Sequence, residues 1–510
     1  MKTGSIGLAS AVLAAAALAA CAPRQPKTAV VLNDVHSRLN PTEVAEYHEP
    51  ASKSEIAALV REAARAGKPI SISGGRHAMG GQQFGRDTIH VNLSRYARVL
   101  ALDRERGLVT VESGVTWPVL IDWLVREQEG REPSWGIRQK QTGADRLTIG
   151  GALSANAHGR GLTLQPMVGD VEAFELVDAR GDVVRASREE NPELFRAAIG
   201  GYGLFGVITE VTLRLAPRTK LERKVEIVRA GELPELVERK IRDGFVYGDY
   251  QFKTDERAED FLDVGVLSLY RPVPASTPMP ATAKALSVEQ WNELYRLAHL
   301  DKARAFQVYA DYYRSTDGQI YWSDTHQLST YVEGMDQAVD EAMGARAPGS
   351  LMIGELYVPH PRLPDFLREA ARAIRETRAN LVYGTVRFIE RDDVTFLPWA
   401  KQSYACTVMN LRVTHDAAGI EQAERQFQAL IDVALSMDGS YFLTYHRWAR
   451  KDQVLAAYPQ FPEFLALKLR FDPEERFQSE WYRHYRAMFA DEVRAATRID
   501  VRERPPVAAR

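Results

Sequence analysis

The sequence predicts an α+β protein built from two unlike parts. Three observations carry this. The chain has 510 residues, more than one ordinary core encloses. Up to about Pro217, short alternating strands and amphipathic helices interleave, interrupted by three glycine-rich, small-residue runs. Beyond Pro217 those runs stop, and longer strands alternate with helices, as in an antiparallel sheet carrying helices.

Each element follows from its pattern. Ser52–Gly67 reads as a helix, with apolar residues at 56, 59, 60 and 63 and Gly67 as its stop. Pro69–Ser73, Thr88–Leu93, Leu108–Val115 and Val171–Val177 read as strands, and Trp117–Glu127 returns to helical spacing. In the second part, Pro364–Thr377 and Ala417–Leu435 are helices. Pro272–Pro280 is a proline-rich surface excursion. No internal repeat is present. The divisions are 41–218, 219–450 and a tail, 451–510, rich in aromatic and charged residues.

The N-terminus is read separately. Lys2 precedes an uncharged run, Ile6–Ala20, in the order of an export signal: basic start, apolar middle, small residues last. Its end, Leu18-Ala19-Ala20-Cys21, resembles the lipobox of bacterial lipoproteins. That makes 1–21 a signal peptide, Cys21 the lipid-anchored residue and 22–40 a tether, with the protein periplasmic or held at a membrane. An ordinary signal peptide with a chance cysteine, or a buried alanine-rich helix, fits the same residues. Composition is that of a globular protein, 45% hydrophobic and 26% charged, and the net charge of −3 carries no nucleic-acid signal. Cys406 is the only other cysteine, so no internal disulfide or thiol metal cluster is expected.

The chemistry-bearing residues begin at His77. It sits among Gly74, Gly75, Gly80 and Gly81, where glycine permits tight turns and close approach to a ligand. Turned N–H groups in such a loop form a concavity for a pyrophosphate, and a histidine there lies beside a cofactor. A surface turn with an incidental histidine fits that stretch alone equally well. Two further runs follow, Thr148–Gly161 and Gly200–Thr209.

The three runs, in this order and spacing, resemble the flavin domain of the vanillyl-alcohol-oxidase superfamily, the PCMH-type FAD-binding domain, over about residues 41–218. Cytokinin dehydrogenases and sugar and aldonolactone oxidases carry Gly-His-Ser followed by Gly-Gln in the first run. Here the spacing from His77 to Gly81-Gln82 is kept, while Arg76 and Ala78 replace the flanking glycine and serine. The Tyr458-Pro459…Phe461 and Asp472-Pro473…Phe477 tail is similar to that of aldonolactone and alditol oxidases, where it returns to the flavin domain.

The resemblance implies FAD, covalently bonded through a ring nitrogen of His77 to the flavin 8α-methyl carbon. The alternative is a histidine that only touches FAD. Gly75, Gly80 and Gly81, with Arg76 and Gln82 in the same loop, fall at the pyrophosphate. Gly150, Gly151, Ser154 and His158 line the other side of the cofactor, with small-loop packing as the rival role for His158. Ile208 corresponds to the residue whose backbone meets the adenine end. In the second part, Glu355 lies in a Glu-Tyr-x-x-Pro-like stretch of the lactone oxidases. Arg387 matches the arginine of the alditol oxidases' Glu-x-Arg, with Thr385 where the glutamate stands; an exposed strand arginine is the alternative. His446 resembles the histidine of a Pro-His-Trp-Gly-Lys region and is the expected proton acceptor, because imidazole exchanges protons near neutral pH. Tyr404, Asp249 and Tyr445 are its reserves. The aromatics of Tyr309–Tyr313 and Tyr321–His326 suit a pocket for a ring or sugar face, and an ordinary core somewhat better.

The expected activity is therefore oxidation of a C–OH group of a sugar lactone or related alcohol by hydride transfer to flavin N5. The electron acceptor is oxygen, a quinone or a cytochrome. Thr385 keeps open the C–N chemistry of cytokinin dehydrogenases and the C=C chemistry of delta-24 sterol reductases. A non-catalytic lipid-tethered binding protein is the remaining reading.

Overall fold

The computed structural model describes residues 30–502, apart from 142, 281, 282, 330, 331 and 333. The signal, lipobox and first tether residues expected over 1–29 lie outside the described residues. Among those that are described, no helix is long and apolar enough to cross a membrane.

Two sheets make up the body of the first part. A three-stranded parallel sheet puts Ile89–Asn92 between Glu46–His48 and Ile70–Ser73. Its covering helix, Lys53–Ala66, starts where Ser52 Oγ accepts from the Glu55 N–H at 3.2 Å. It stops at Gly67, which takes the left-handed conformation at φ 62. Ile56, Ala57, Val60 and Ala63 form its buried face. The second sheet is six-stranded and antiparallel. Val207–Pro217 runs through its middle, between Val171–Val177 and Leu108–Glu112.

The second part is one eight-stranded antiparallel sheet. Its central strands are Tyr247–Phe252, Leu381–Ile389 and Tyr404–Thr414. Helices Leu363–Thr377 and Ala417–Leu435 cover one face with apolar side chains such as Phe366, Ile374, Phe427 and Leu430. The other face turns toward the glycine loops of the first part.

The tail ties the two parts together. Phe477 bridges to Ile70 as an added parallel contact: the Ile70 N–H donates to Arg476 O at 2.6 Å and the Gln478 N–H to Ile70 O at 2.8 Å. Trp481 Nε1 donates to Leu443 O at 3.1 Å.

The stretch 30–40 is not a tether. Val30–Leu32 pairs with Thr42–Val44. Between them, Asp34 Oδ1 accepts from the N–H groups of His36, Ser37 and Arg38. Asn40 Nδ2 then donates to Met79 O at 2.6 Å. A buried carboxylate answered by three backbone donors closes this segment into a loop against the His77 run.

Candidate active site

A cavity of about 1050 Å³ lies between the glycine loops and the open face of the eight-stranded sheet. Gly75, Arg76, His77, Gln82, Gly150, Gly151, Ser154 and Ile208 line it from the first part, and Glu355, Arg387 and Tyr445 from the second. Three sequence motifs far apart in the chain and one sheet face therefore meet at a single space.

The His77 loop owes its shape to two tight positions. Arg76 is turned to φ 58, a conformation uncommon for a non-glycine residue. A Cβ on Gly75 would stand 2.4 Å from the Arg146 carbonyl oxygen, so only glycine fits there. His77 Nδ1 lies 2.7 Å from Nε2 of His36, contributed by the closed loop 30–40. Burial first, then the neighbouring His36, push the His77 pKa down to about 3, so its imidazole is neutral at physiological pH. Burial likewise holds His36 at about 4.

Several expected contacts fall elsewhere. Gly80 and Gly81 do not line the cavity. The Gly80 N–H donates to Thr444 O at 3.2 Å, and Gly81, at φ 78, turns the loop against Asn40. Those residues dock the loop onto the 443–447 segment, as does Gln82, whose Nε2 donates to Thr444 O at 2.7 Å. Gly150 and Gly151 do line the cavity, but their N–H groups are already engaged by Ser113 O and Thr148 Oγ1. They offer a smooth wall rather than donors.

His158 sits below the cavity wall. Its Nδ1 is 3.0 Å from Gly159 O and its Nε2 is 3.0 Å from Glu355 Oε2. Glu355 also accepts from Tyr357 Oη at 3.0 Å and from Tyr445 Oη at 2.9 Å. Burial alone would raise the Glu355 pKa. The His158 ring, the Arg387 charge and the Tyr445 hydroxyl outweigh it and hold the carboxyl at about 2. Tyr445 is shifted the other way, well above its usual value, by burial and by Glu355, so it remains a hydroxyl donor.

His446 does not reach the cavity, which corrects its expected role as proton acceptor. Its ring is 3% exposed and packs among Phe427 at 4.6 Å, Trp448 at 5.4 Å and Tyr441 at 6.4 Å. Tyr445 turns inward to Glu355, whereas His446 packs against Phe427 of the covering helix. Its pKa, lowered by burial to about 3, fits a packed ring. Tyr404, another reserve, lies away from the cavity near Asp438.

Arg387 and Asp249 meet on the open sheet face. Tyr250 pairs with Val386, so Asp249 stands across from Arg387, and Gln251 across from Thr385. Both strands thereby send apolar residues to the core and polar ones to the cavity. Asp249 Oδ1 and Arg387 Nε and Nη1 are buried without hydrogen-bond partners. The far wall carries the aromatics for which a core was expected: Tyr309, Tyr312, Tyr313 and Tyr321 line the cavity. Sequence reasoning missed Arg160 and Arg223, which share this wall. Arg160 lies within the second glycine run, between Gly159 and Gly161, which was the available signal. Arg223 is an ordinary strand arginine in sequence and left none.

The residues on the glycine side suit a flavin dinucleotide. The wall is backbone and small side chains, and Arg76 and Arg146 bring positive charge to it, as a diphosphate requires.

Comparison with known proteins agrees. Residues 44–187 match the FAD binding domain family. The chain is 31% identical to the mitochondrial L-galactono-1,4-lactone dehydrogenase of Arabidopsis thaliana, over 34% of this chain and 27% of that protein. It is 24% identical to the L-gulono-1,4-lactone dehydrogenase of Mycobacterium tuberculosis, over 85% of this chain and 94% of that protein. With cytokinin dehydrogenase 5 of Oryza sativa it shares 23% identity over 86% of each. The chain spans about 30% or less of the length of the relatives that it matches at 31–33% identity. The glycine loops, the cavity they line and the family match together make residues 44–187 an FAD-binding domain of the PCMH type.

Proposed function

We propose that the protein is an FAD-dependent oxidoreductase that oxidises a C–OH group of a sugar lactone or related alcohol. The observation that carries this is the single cavity in which the His77 loop faces Arg387 and Asp249. The long match to the L-gulono-1,4-lactone dehydrogenase supports the same reading.

Bound flavin supplies a two-electron acceptor at N5. The chain's own residues do the rest. Arg76, Gly75 and Arg146 hold the diphosphate half. His77, neutral through burial and oriented by His36, would be the attachment point for the 8α-methyl carbon. Asp249 takes the hydroxyl proton in place of His446, since it lines the cavity and its Oδ1 has no hydrogen-bond partner. Arg387 steadies negative charge on the substrate oxygen, and Tyr445, its proton held by Glu355, turns its hydroxyl oxygen to the same space as an acceptor. The final electron acceptor is oxygen, a quinone or a cytochrome. Export through residues 1–21 and a lipid anchor at Cys21 complete the reading.

The test is anaerobic flavin bleaching against lactones, alditols, amines and sterols. Bleaching by an amine alone would favour the C–N chemistry to which the cytokinin dehydrogenase match points. Acid-precipitated protein is expected to stay yellow and His77→Ala to lose the colour; complete extraction of wild-type flavin by acid defeats the covalent link. For the anchor, Cys21→Ser is expected to abolish the acyl mass at the mature N-terminus.

A further inference from the structure

The wall opposite the glycine loops holds more positive charge than it answers. Arg160, Arg223 and Arg387 all line it, and none is more than 7% exposed. Among the described residues Asp249 is the one carboxylate between them, 3.4 Å from Arg160 Nη1 and across the strand pair from Arg387. Glu355, the other nearby acid, feels the Arg387 charge, but its oxygens are already taken by His158, Tyr357 and Tyr445, so it leaves the Arg387 donors free. Elsewhere on the cavity wall, Arg38 is paired with Asp336.

Arg223 sits against the rings of Tyr270, Tyr313 and Tyr321, with Nη1 on Thr316 Oγ1 at 2.9 Å; no ion pair reaches it among the described residues. Arg160 packs over the other side of the same cluster, 4.9 Å from the Tyr270 ring centroid. Arg160 Nε and Arg387 Nε and Nη1 are buried with no hydrogen-bond partner. Buried charge with idle donors is expensive unless something is bound there: a buried unsatisfied group costs roughly 1–3 kcal/mol, and more when charged. An apolar or neutral ligand would leave that cost in place. An anion removes it.

We propose that the substrate carries a carboxylate close to its carbinol carbon, seated on the idle donors of Arg160 and Arg387, with the hydroxyl against Asp249. This rests on the reading of the cavity as a site of C–OH oxidation. It narrows the substrate to an acid: an open-chain sugar acid or similar hydroxy-carboxylate rather than a closed, neutral lactone. A carboxylate suits the donor set because its charge-assisted hydrogen bonds are stronger than those of a neutral carbonyl. Asp249 then has a distinct task, since two carboxylates among three guanidiniums are tolerable where one leaves an excess.

The experiment uses the flavin-loaded protein and four probes of one carbon skeleton: the aldonate, its lactone, the alditol and a deoxy carboxylate that cannot be oxidised. Perturbation of the flavin spectrum gives Kd, and anaerobic bleaching gives the reduction rate. The aldonate and the deoxy acid are expected to bind roughly 10²-fold tighter than the lactone and alditol, in the range for a buried charge pair. Arg160→Met is expected to remove that preference and Arg160→Lys to keep part of it. The wild-type ratio decides the matter even if a variant fails to fold. Equal or tighter binding of the lactone overturns the proposal, as does a variant that weakens acid and lactone alike. If both acids bind tightly but no alcohol bleaches the flavin, the carboxylate subsite stands and the C–OH reading falls.

Discussion

At the scale of single residues, burial decides what each histidine can do. His77 and His446 are both driven to about pKa 3 by burial, yet one faces the cavity and the other an aromatic cluster. The neighbours make the difference: His77 has His36 at 2.7 Å, whereas His446 Nδ1 has no partner. His446→Phe should therefore keep the fold, the flavin content and the reduction rate. A loss approaching the 10²–10⁴-fold expected for removal of a general base would restore His446 to the mechanism. Asp249→Asn, in contrast, is expected to slow reduction within that same range while leaving flavin binding intact, measured by single-turnover bleaching.

At the scale of elements, the loops are fixed by close approach and the tail by one buried ion pair. Gly75→Ala puts a methyl group against the Arg146 carbonyl oxygen at 2.4 Å, so the His77 loop must shift. Flavin content per protein is expected to drop sharply. Gly231→Ala, with no atom within 4 Å of the added carbon, is the matched control and should change nothing. In the tail, Asp472 Oδ2 accepts from Lys468 Nζ at 2.6 Å and from the Phe477 N–H at 2.8 Å, and both side chains are within 1% of full burial. Asp472→Asn leaves an ammonium buried without its counter-charge. The expected loss is about 3–5 kcal/mol, read as a fall in Cm at unchanged m-value, because breaking one partner of a buried pair costs that much. It should also loosen the bridge from Phe477 to Ile70 that holds the tail on the first part.

At the scale of the whole molecule, stability should fall in mild acid. Burial lowers the pKa of His36 to about 4 and of His77, His90 and His446 to about 3, against 6.5 when unfolded. The unfolded chain therefore binds more protons than the folded one below pH 6.5. The stability these groups contribute is complete above that pH and is lost as pH falls toward 4 and 3. Asp170, raised to about 6 by burial, works in the opposite sense but is one group against four. The midpoint of thermal unfolding is expected to drop steadily between pH 7 and 4. A flat profile would mean that these rings are solvated.

Much of this was legible in the residues. Helix Lys53–Ala66 announced itself by period and by Ser52 and Gly67, and Trp117–Glu127 by period alone, because local backbone preference and one buried face suffice to define such elements. The glycine runs likewise gave away the cofactor wall, since a chain that must turn tightly and lie close to a ligand has few residue choices. Other features depended on which strands became neighbours. The pairing of Tyr250 with Val386 set Asp249 against Arg387, and the packing of the covering helix turned His446 away from the cavity. Arg160 and Arg223 came together across Tyr270 from positions with nothing in common in sequence. Local pattern fixes an element and the face it buries, but which side chains share a cavity is a property of strand order and register, and those are decided by contacts between residues far apart in the chain.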